Sequence, residues 1–235
     1  EWNTFHQRAW FCPGKDAARE ILTTALLESR GDMLVAATTS ARRLATLKTS
    51  KALTSFTALI PISAVSLVTA LFAENTDAEV TIGGHGGQRL MVVRLPGITV
   101  WSRLFTGNYP AIERVIPAAD APVKFTVNRE EFLASLKRVA PMARVVSGKV
   151  LLIVSDLTLT ISSAENEVGA ASDSVTVTDA RDWTAFFDAR FLIDAANASD
   201  GEFITFAQDE EVQPALITDY DSRWTAVIMP IMPTV

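Results

Sequence analysis

Ser102-Arg103-Leu104-Phe105-Thr106-Gly107-Asn108-Tyr109-Pro110-Ala111-Ile112-Glu113-Arg114-Val115-Ile116-Pro117 is the stretch on which the fold turns. It starts as a strand, bends at Gly107-Asn108, and is then stiffened by Tyr109-Pro110 and Ile116-Pro117. Each proline holds its own φ and pushes the residue before it toward extended geometry. Such a segment is a poor helix and a good strap. Its apolar residues Tyr109, Ile112, Val115 and Ile116 lie too close to the prolines to found a core strand. The sequence therefore predicts a connector that packs its side chains between two globular halves of about equal length.

Working outward, the same grammar is read on both sides of the strap. Before it, a helical spacing of Trp2, Phe5, Ala9 and Trp10 over 1–11 is stopped by Pro13-Gly14. Strands are predicted over 21–28, 33–38, 43–47 and 53–60. A helix follows Pro61, where a proline is harmless because its missing N–H would have had no partner, with Val65, Leu67, Val68 and Leu71 on its apolar side. A hairpin over 79–82 and 88–94, around the glycine-rich 83–87, and a strand over 97–104 complete this half. After the strap come a strand over 123–127 and a helix over 129–140 that buries Phe132, Leu133, Leu136 and Val139. Strands over 149–154, 157–162, 167–177 and 182–187, a helix over 190–198, and strands over 203–207, 215–219 and 223–229 follow. The unit of strand, short amphipathic helix and three strands recurs about every 60 to 70 residues, a repeat read from the periodicity. Phe56-Thr57-Ala58-Leu59-Ile60-Pro61, Phe125-Thr126-Val127-Asn128 and Phe186-Phe187-Asp188 each lead into a helix. The first helix would be a copy whose preceding strand is absent. Four such half-domains make two domains with helices on one face of antiparallel sheets, an α+β arrangement.

Composition narrows the function. The 235 residues are 49% hydrophobic and 20% charged, which suits a globular chain with a sizeable core. With 27 acidic against 21 basic residues the net charge is −6, which argues against binding DNA through many phosphate contacts. A ring that encircles DNA is the exception, because topology holds it there. The lone Cys12, read as a small buried residue beside Trp10 and Phe11, fits a reducing cytoplasm. No signal peptide is visible, and the apolar run 59–72 is interrupted and too short for a membrane span of roughly 20 residues.

Little in the sequence carries catalytic chemistry. The two histidines are far apart and no metal-ligand spacing occurs, so no metal and no cofactor is expected. The glycine loop lacks the helix start that a phosphate loop needs, and reads as a hairpin tip carrying His85. Asp209-Glu210-Glu211 and Asp219-Tyr220-Asp221 read as solvated turns. A hydrolase would have to bring Asp219 or Asp221 to His85. The expectation is a protein that is not an enzyme.

The strap resembles the linker between the second and third domains of the bacterial DNA polymerase III beta subunit family, the sliding clamps. That pattern runs Ser-Arg-Leu, two residues, Gly, an aromatic, Pro, and later Ile/Leu-Pro. Thr39-Ser40-Ala41-Arg42-Arg43-Leu44-Ala45 is similar to the family's Thr-Asp-x-x-Arg-Leu-Ala, and Val227-Ile228-Met229-Pro230-Ile231 to its Val-Val-Met-Pro-Met. Phe187-Asp188-Ala189-Arg190-Phe191-Leu192-Ile193-Asp194-Ala195 resembles Phe-Asn-x-x-Tyr-Leu-x-Asp-Ala.

The resemblance implies two clamp domains, with sheets outside and two helices each on the inner face. Residues 1–117 would be a middle-type domain lacking its first strand, with the linker at 105–121, and 122–235 the C-terminal domain. It further implies a groove for a short, partly apolar client peptide with leucine and phenylalanine anchors. The groove's walls would be Leu22, Thr39, Ala41, Arg42, Leu44, Pro110, Val115, Val212, Pro214, Val227, Met229, Pro230 and Ile231. Ser40 stands where the family usually has Asp, and Arg42 where it usually has His or an aromatic, so either a more acidic client or a lower affinity is expected. Arg8, Arg129, Lys137, Arg138 and Arg190 lie on or beside helices that would face DNA, with few direct phosphate contacts. Implied partners are encircled double-stranded DNA, the polymerase III alpha subunit, the clamp loader, other proteins carrying a clamp-binding motif, and further copies in a ring. The expected location is cytoplasmic. The chain is expected either to be a fragment lacking an N-terminal domain, the favoured reading, or to assemble as a trimer of two-domain chains. The alternative is a clamp-derived peptide-binding or decoy module that never encircles DNA.

Overall fold

At three points a strand runs into a helix with no loop between: Pro61/Ile62, Asn128/Arg129 and Asp188/Ala189. The residue at the junction makes this possible. The Asn128 side chain accepts from the backbone N–H of Glu130 and Glu131 at 3.0 and 3.2 Å, and Asp188 accepts from that of Arg190 at 3.0 Å, satisfying donors a helix start leaves open. At the first junction Pro61 is the N-cap residue and has no side-chain acceptor, so this helix starts without a side-chain cap.

The computed structural model describes residues 1–51, 53–72, 78–85, 88–118, 120–165, 167, 169–221 and 223–232. The chain divides into two compact units, Glu1–Pro110 and Ala111–Val235. The first unit contains α1 (Trp2–Arg8), β1 (Thr24–Arg30), β2 (Met33–Thr39), β3 (Arg43–Ser50), β4 (Phe56–Pro61), α2 (Ile62–Leu71), β5 (Glu79–His85), β6 (Gln88–Leu95) and β7 (Ile98–Arg103). A short 3-10 segment, Ala17–Thr23, precedes β1 where the sequence predicts the strand to have begun. Antiparallel pairing joins β3-β2-β1-β4, and separately β5-β6-β7. An aromatic cluster locks α1 in place. Trp2 meets Trp10 edge-on at 5.0 Å and donates its indole N–H to Thr69 of α2, while Trp10 donates to the Leu26 carbonyl.

The second unit contains β8 (Val123–Asn128), α3 (Arg129–Val146), β9 (Lys149–Ser155), β10 (Thr158–Ser163), β11 (Ser172–Thr178), β12 (Trp183–Asp188), α4 (Ala189–Ala198), β13 (Phe203–Ala207), β14 (Ala215–Thr218) and β15 (Trp224–Ile228). Their order in the sheet is β12-β9-β10-β11-β8-β13-β14-β15. The two halves exchange their leading strands: β12 pairs with β9 of the first half, and β8 with β13 of the second. The ends match too. Val177 and Thr178 of β11 pair with β8, and just past β15 the N–H of Ile231 donates to the Phe186 carbonyl of β12 at 2.7 Å. The repeat read in the letters is thus physical within this unit. Helices α3 and α4 pack together on the sheet over Phe125, Phe132, Phe187, Phe206 and Trp224, all fully buried.

Several boundaries differ from expectation. Helix α3 continues through Pro141 to Val146 instead of stopping at Ala140. Pro141 and Lys137, the residue whose carbonyl loses its helical donor, are both exposed, while Ala143 beyond them is buried and holds the last turns. Gly148, at φ +76°, then ends the helix by donating to the Ala143 carbonyl. Leu67 is half-exposed because α2 turns Ala64, Val65 and Val68 inward, and a position two residues from Val65 falls about 200° around the helix. In the strap, one 3-10 turn at Ile112–Arg114 buries Ile112 alone, and Val115, expected to pack, is half-exposed. Of the glycine-rich loop, residues 86–87 lie outside the described residues.

Candidate functional site

In the first unit four of the candidate residues, Thr39, Ala41, Arg42 and Leu44, belong to the β2–β3 hairpin. Thr39 pairs with Leu44, and Ser40 N–H donates to the Arg43 carbonyl at 3.1 Å, leaving Ala41 and Arg42 at the exposed tip. The Thr39 hydroxyl accepts from Ala41 N–H and donates to the Arg43 carbonyl at 2.8 Å, so it braces the turn rather than facing a ligand. Leu22 and Leu44 are both buried. Leu22 also receives the backbone N–H of Gly14 at 2.7 Å, and a side chain at Gly14 would meet the Leu22 Cβ at 2.9 Å. Pro110 is exposed, next to Tyr109. Burial, with Cys12 adding to it, pushes the Tyr109 phenol above its ordinary range, and the ring stays neutral at any physiological pH. Cys12 itself is buried against Thr38, as expected of a small core residue.

Ala41 sits at φ +69°, where a Cβ is strained by roughly 1–2 kcal/mol. Ala41→Gly is expected to stabilise the chain by roughly 0.5–1 kcal/mol, less than the full strain because glycine also loosens the unfolded chain. Urea unfolding measures this, and a lowered midpoint would contradict the turn geometry.

In the second unit the candidates meet at one end of the β14–β15 hairpin. The register Ala215↔Ile228 places Pro214 beside Met229, with Pro230 and Ile231 following. Val227, one step inside, is buried opposite Leu216. Val212 is half-exposed on the loop before Pro214. Gln208 shapes that loop. It is fully buried, accepts from Trp183 Nε1 at 2.8 Å, and donates Nε2 to the carbonyls of Glu211 and Gln213 at 3.3 and 2.6 Å. Nothing in the local pattern marks Gln208 at the end of a strand as the partner of Trp183, which lies 25 residues away.

The basic residues expected to face DNA are placed unequally. Arg8 is only 5% exposed at the end of α1, so its guanidinium is not presented for a phosphate, correcting that expectation. Lys137 is exposed. Arg129 donates to the Gly201 carbonyl at 2.9 Å, and Arg138 and Arg190 are ion-paired to Asp173 and Asp188. Helix α2 carries no basic residue.

The acidic pair Asp219 and Asp221 is committed to structure. Asp219 accepts from Ser199 Oγ, Asp200 N–H and Asp221 N–H, and Asp221 holds Arg223 through its Nε and backbone N–H. Among the described residues no group of three or more His, Cys, Asp or Glu could hold a metal ion, and no helix is long and apolar enough to cross a membrane.

Comparison with known proteins bears on all of this. The family described as DNA polymerase III beta subunit, C-terminal domain, matches residues 113–232. The beta sliding clamp of Chlamydia muridarum is 26% identical over 229 residues, covering 96% of this chain and 61% of its own length. That of Bacillus subtilis is 25% identical over 146 residues, covering 60% and 38%. The chain therefore spans about 61% of the length of the first of these relatives. In fold, it superposes on the Pseudomonas aeruginosa DNA polymerase sliding clamp with a TM-score of 0.89 at 21% identity, covering 99% of this chain and 64% of that one. The Streptococcus pneumoniae DNA polymerase III beta chain gives 0.89 at 24%, covering 99% and 63%. With a family match over residues 113–232 and the α+β clamp architecture in both units, the chain belongs to the DNA polymerase III beta subunit family, the non-catalytic sliding clamps.

Proposed function

We propose that this chain serves in a sliding clamp: with further copies or a further domain it closes a ring around double-stranded DNA. There it tethers the replicative polymerase and other replication and repair proteins through their peptide motifs. The observation that carries this reading is the pair of exposed, mostly apolar surfaces at positions where the family resemblance puts a client groove. The exposed Ala41, Arg42 and Pro110 supply one, and the exposed Val212 and Met229 with the partly buried Pro214, Pro230 and Ile231 the other. Val115 would add to them from the strap. Leu22, Thr39, Leu44 and Val227 are buried, so they would contribute to a groove only through the packing of its walls. Met229 is unbranched and adaptable, which suits a surface that serves several clients. Arg42 at the exposed tip favours a client with an acidic residue beside its apolar anchors.

The test uses a fluorescent peptide carrying Leu-Phe anchors. Val212→Ala combined with Met229→Ala removes exposed apolar surface without touching the core, and is expected to weaken binding at least about tenfold. Unchanged affinity would show that the peptide binds elsewhere. Leu44 is unsuitable for this purpose, since truncating a buried leucine costs about 2–5 kcal/mol of stability on its own.

The second reading, a peptide-binding module that does not encircle DNA, draws on the commitment of the expected DNA-facing arginines Arg138 and Arg190 to carboxylate partners. Solution mass separates the two, because a ring requires an oligomer and the module does not. Stimulation of polymerase processivity on circular primed DNA is expected of the ring alone.

A further inference from the structure

Helices α3 and α4 carry five basic side chains, Arg129, Lys137, Arg138, Arg144 and Arg190, against three acidic ones, Glu130, Glu131 and Asp194. Two carboxylates from outside the helices offset the remaining excess. Asp173 of β11 points to the same side of its strand as the buried Val175 and Val177, toward the flank of α3. There it accepts from Arg138 Nε at 2.6 Å, and the Arg138 terminal nitrogen completes a two-pronged contact. Asp188, buried at the start of α4, takes Arg190 Nε at 3.0 Å and its terminal nitrogen at 2.7 Å. Both guanidiniums remain more than half-exposed, so they are within reach of a ligand but already hold an anion: Arg190 grips both oxygens of Asp188 in the fork geometry that a phosphate would use, and Arg138 turns two nitrogens onto the single oxygen Oδ2 of Asp173.

We propose that Asp173 and Asp188 act as built-in phosphate substitutes that cap the two arginines and set a low ceiling on this chain's direct grip on duplex DNA. The proposal rests on the clamp reading above for the identity of the ligand, while the pairing itself is a matter of geometry within one unit. Its physical logic is competition. A DNA phosphate must displace a tethered carboxylate, and the counterion release that drives non-specific binding is correspondingly smaller. A ring that must move along DNA gains from a shallow electrostatic contact. The hydrogen bond and charge of Asp188 hold the Arg190 guanidinium above its ordinary range, consistent with a tight partner.

The experiment measures binding of the full chain to a short linear duplex by fluorescence anisotropy across a salt series. Asp173→Asn removes the charge at a near-surface pair worth at most about 1 kcal/mol to stability, so folding is retained. Asp188→Asn keeps an oxygen for the helix start. Each is expected to tighten binding about threefold to tenfold at low salt, and to steepen the dependence of log K on log salt by about one unit. Glu210→Gln, the same charge change on an exposed loop, is expected to shift affinity less than about twofold, as a charge with no capped arginine beside it. Arg138→Gln is expected to be silent in the native background and to abolish the gain in the Asp173→Asn background.

Equal effects of Asp173→Asn and Glu210→Gln, or DNA binding unaltered by either aspartate change, would overturn the capping proposal and leave the clamp reading intact. Absence of duplex binding by every variant even at low salt would overturn it as well. In that case the circular-DNA processivity assay decides the clamp reading separately.

Discussion

Phe206→Ala is expected to destabilise the second unit by about 3–5 kcal/mol, the largest single loss in stability that this fold predicts. Phe206 is fully buried on β13, stacked on Phe125 of β8 at 4.5 Å and met edge-on by Phe132 of α3 at 5.5 Å. Phe125 in turn touches Trp183 of β12 at 5.6 Å. The ring therefore joins both halves of the pseudo-repeat through one aromatic stack, and its removal opens a cavity bordered by side chains from strands and helix that are held by their own hydrogen bonds. Phe203, on the same strand but half-exposed, gives the internal control, because truncating it removes little buried area. Urea unfolding followed by tryptophan fluorescence compares the two. A loss at Phe206→Ala no greater than at Phe203→Ala would show that the aromatic stack is not the unit's keystone.

Gln208→Leu is expected to combine a loss of stability with a loss of peptide binding. The substitution preserves bulk but leaves Trp183 Nε1–H and the carbonyls of Glu211 and Gln213 without the partners they have now. Each buried group so orphaned costs about 1–3 kcal/mol, and partial access of the loop to water brings the expected sum to about 2–4 kcal/mol. The functional consequence follows from position. The loop held by Gln208 carries Val212 and leads into Pro214, so freeing it should weaken the Leu-Phe peptide by several-fold even where the protein remains folded. Trp183→Phe supplies the contrast: it removes one donor and leaves the two bonds that anchor the loop, so stability should fall while peptide affinity holds. Equal peptide affinity in the native chain and Gln208→Leu would remove this loop from the site.

Much of the architecture is legible in the letters because it is written locally. Asn128 and Asp188 can cap a helix from the end of a strand, and the apolar spacing after each gives the inward face. Phe132, Leu136 and Val139 fall where that spacing puts them. The motifs around Arg43-Leu44, Met229-Pro230 and the strap carry the resemblance to the clamp family, and the family match bears it out. Other features were not legible there. Pro141 reads as a helix end, yet the turn after it is held by the burial of Ala143, which depends on what packs beneath. Arg8 reads as a surface charge, and burial at the end of α1 makes it an interior one.

The sequence by itself determined the strand and helix grammar and the motifs that carry the family, since each is a property of residues a few positions apart. Only the tertiary structure decided which polar groups meet across long separations, among them Arg138 with Asp173 and Gln208 with Trp183. A charged or amide side chain has no periodicity to reveal its partner. Its role follows from which elements the hydrophobic core brings side by side, and that is settled by packing over the whole unit.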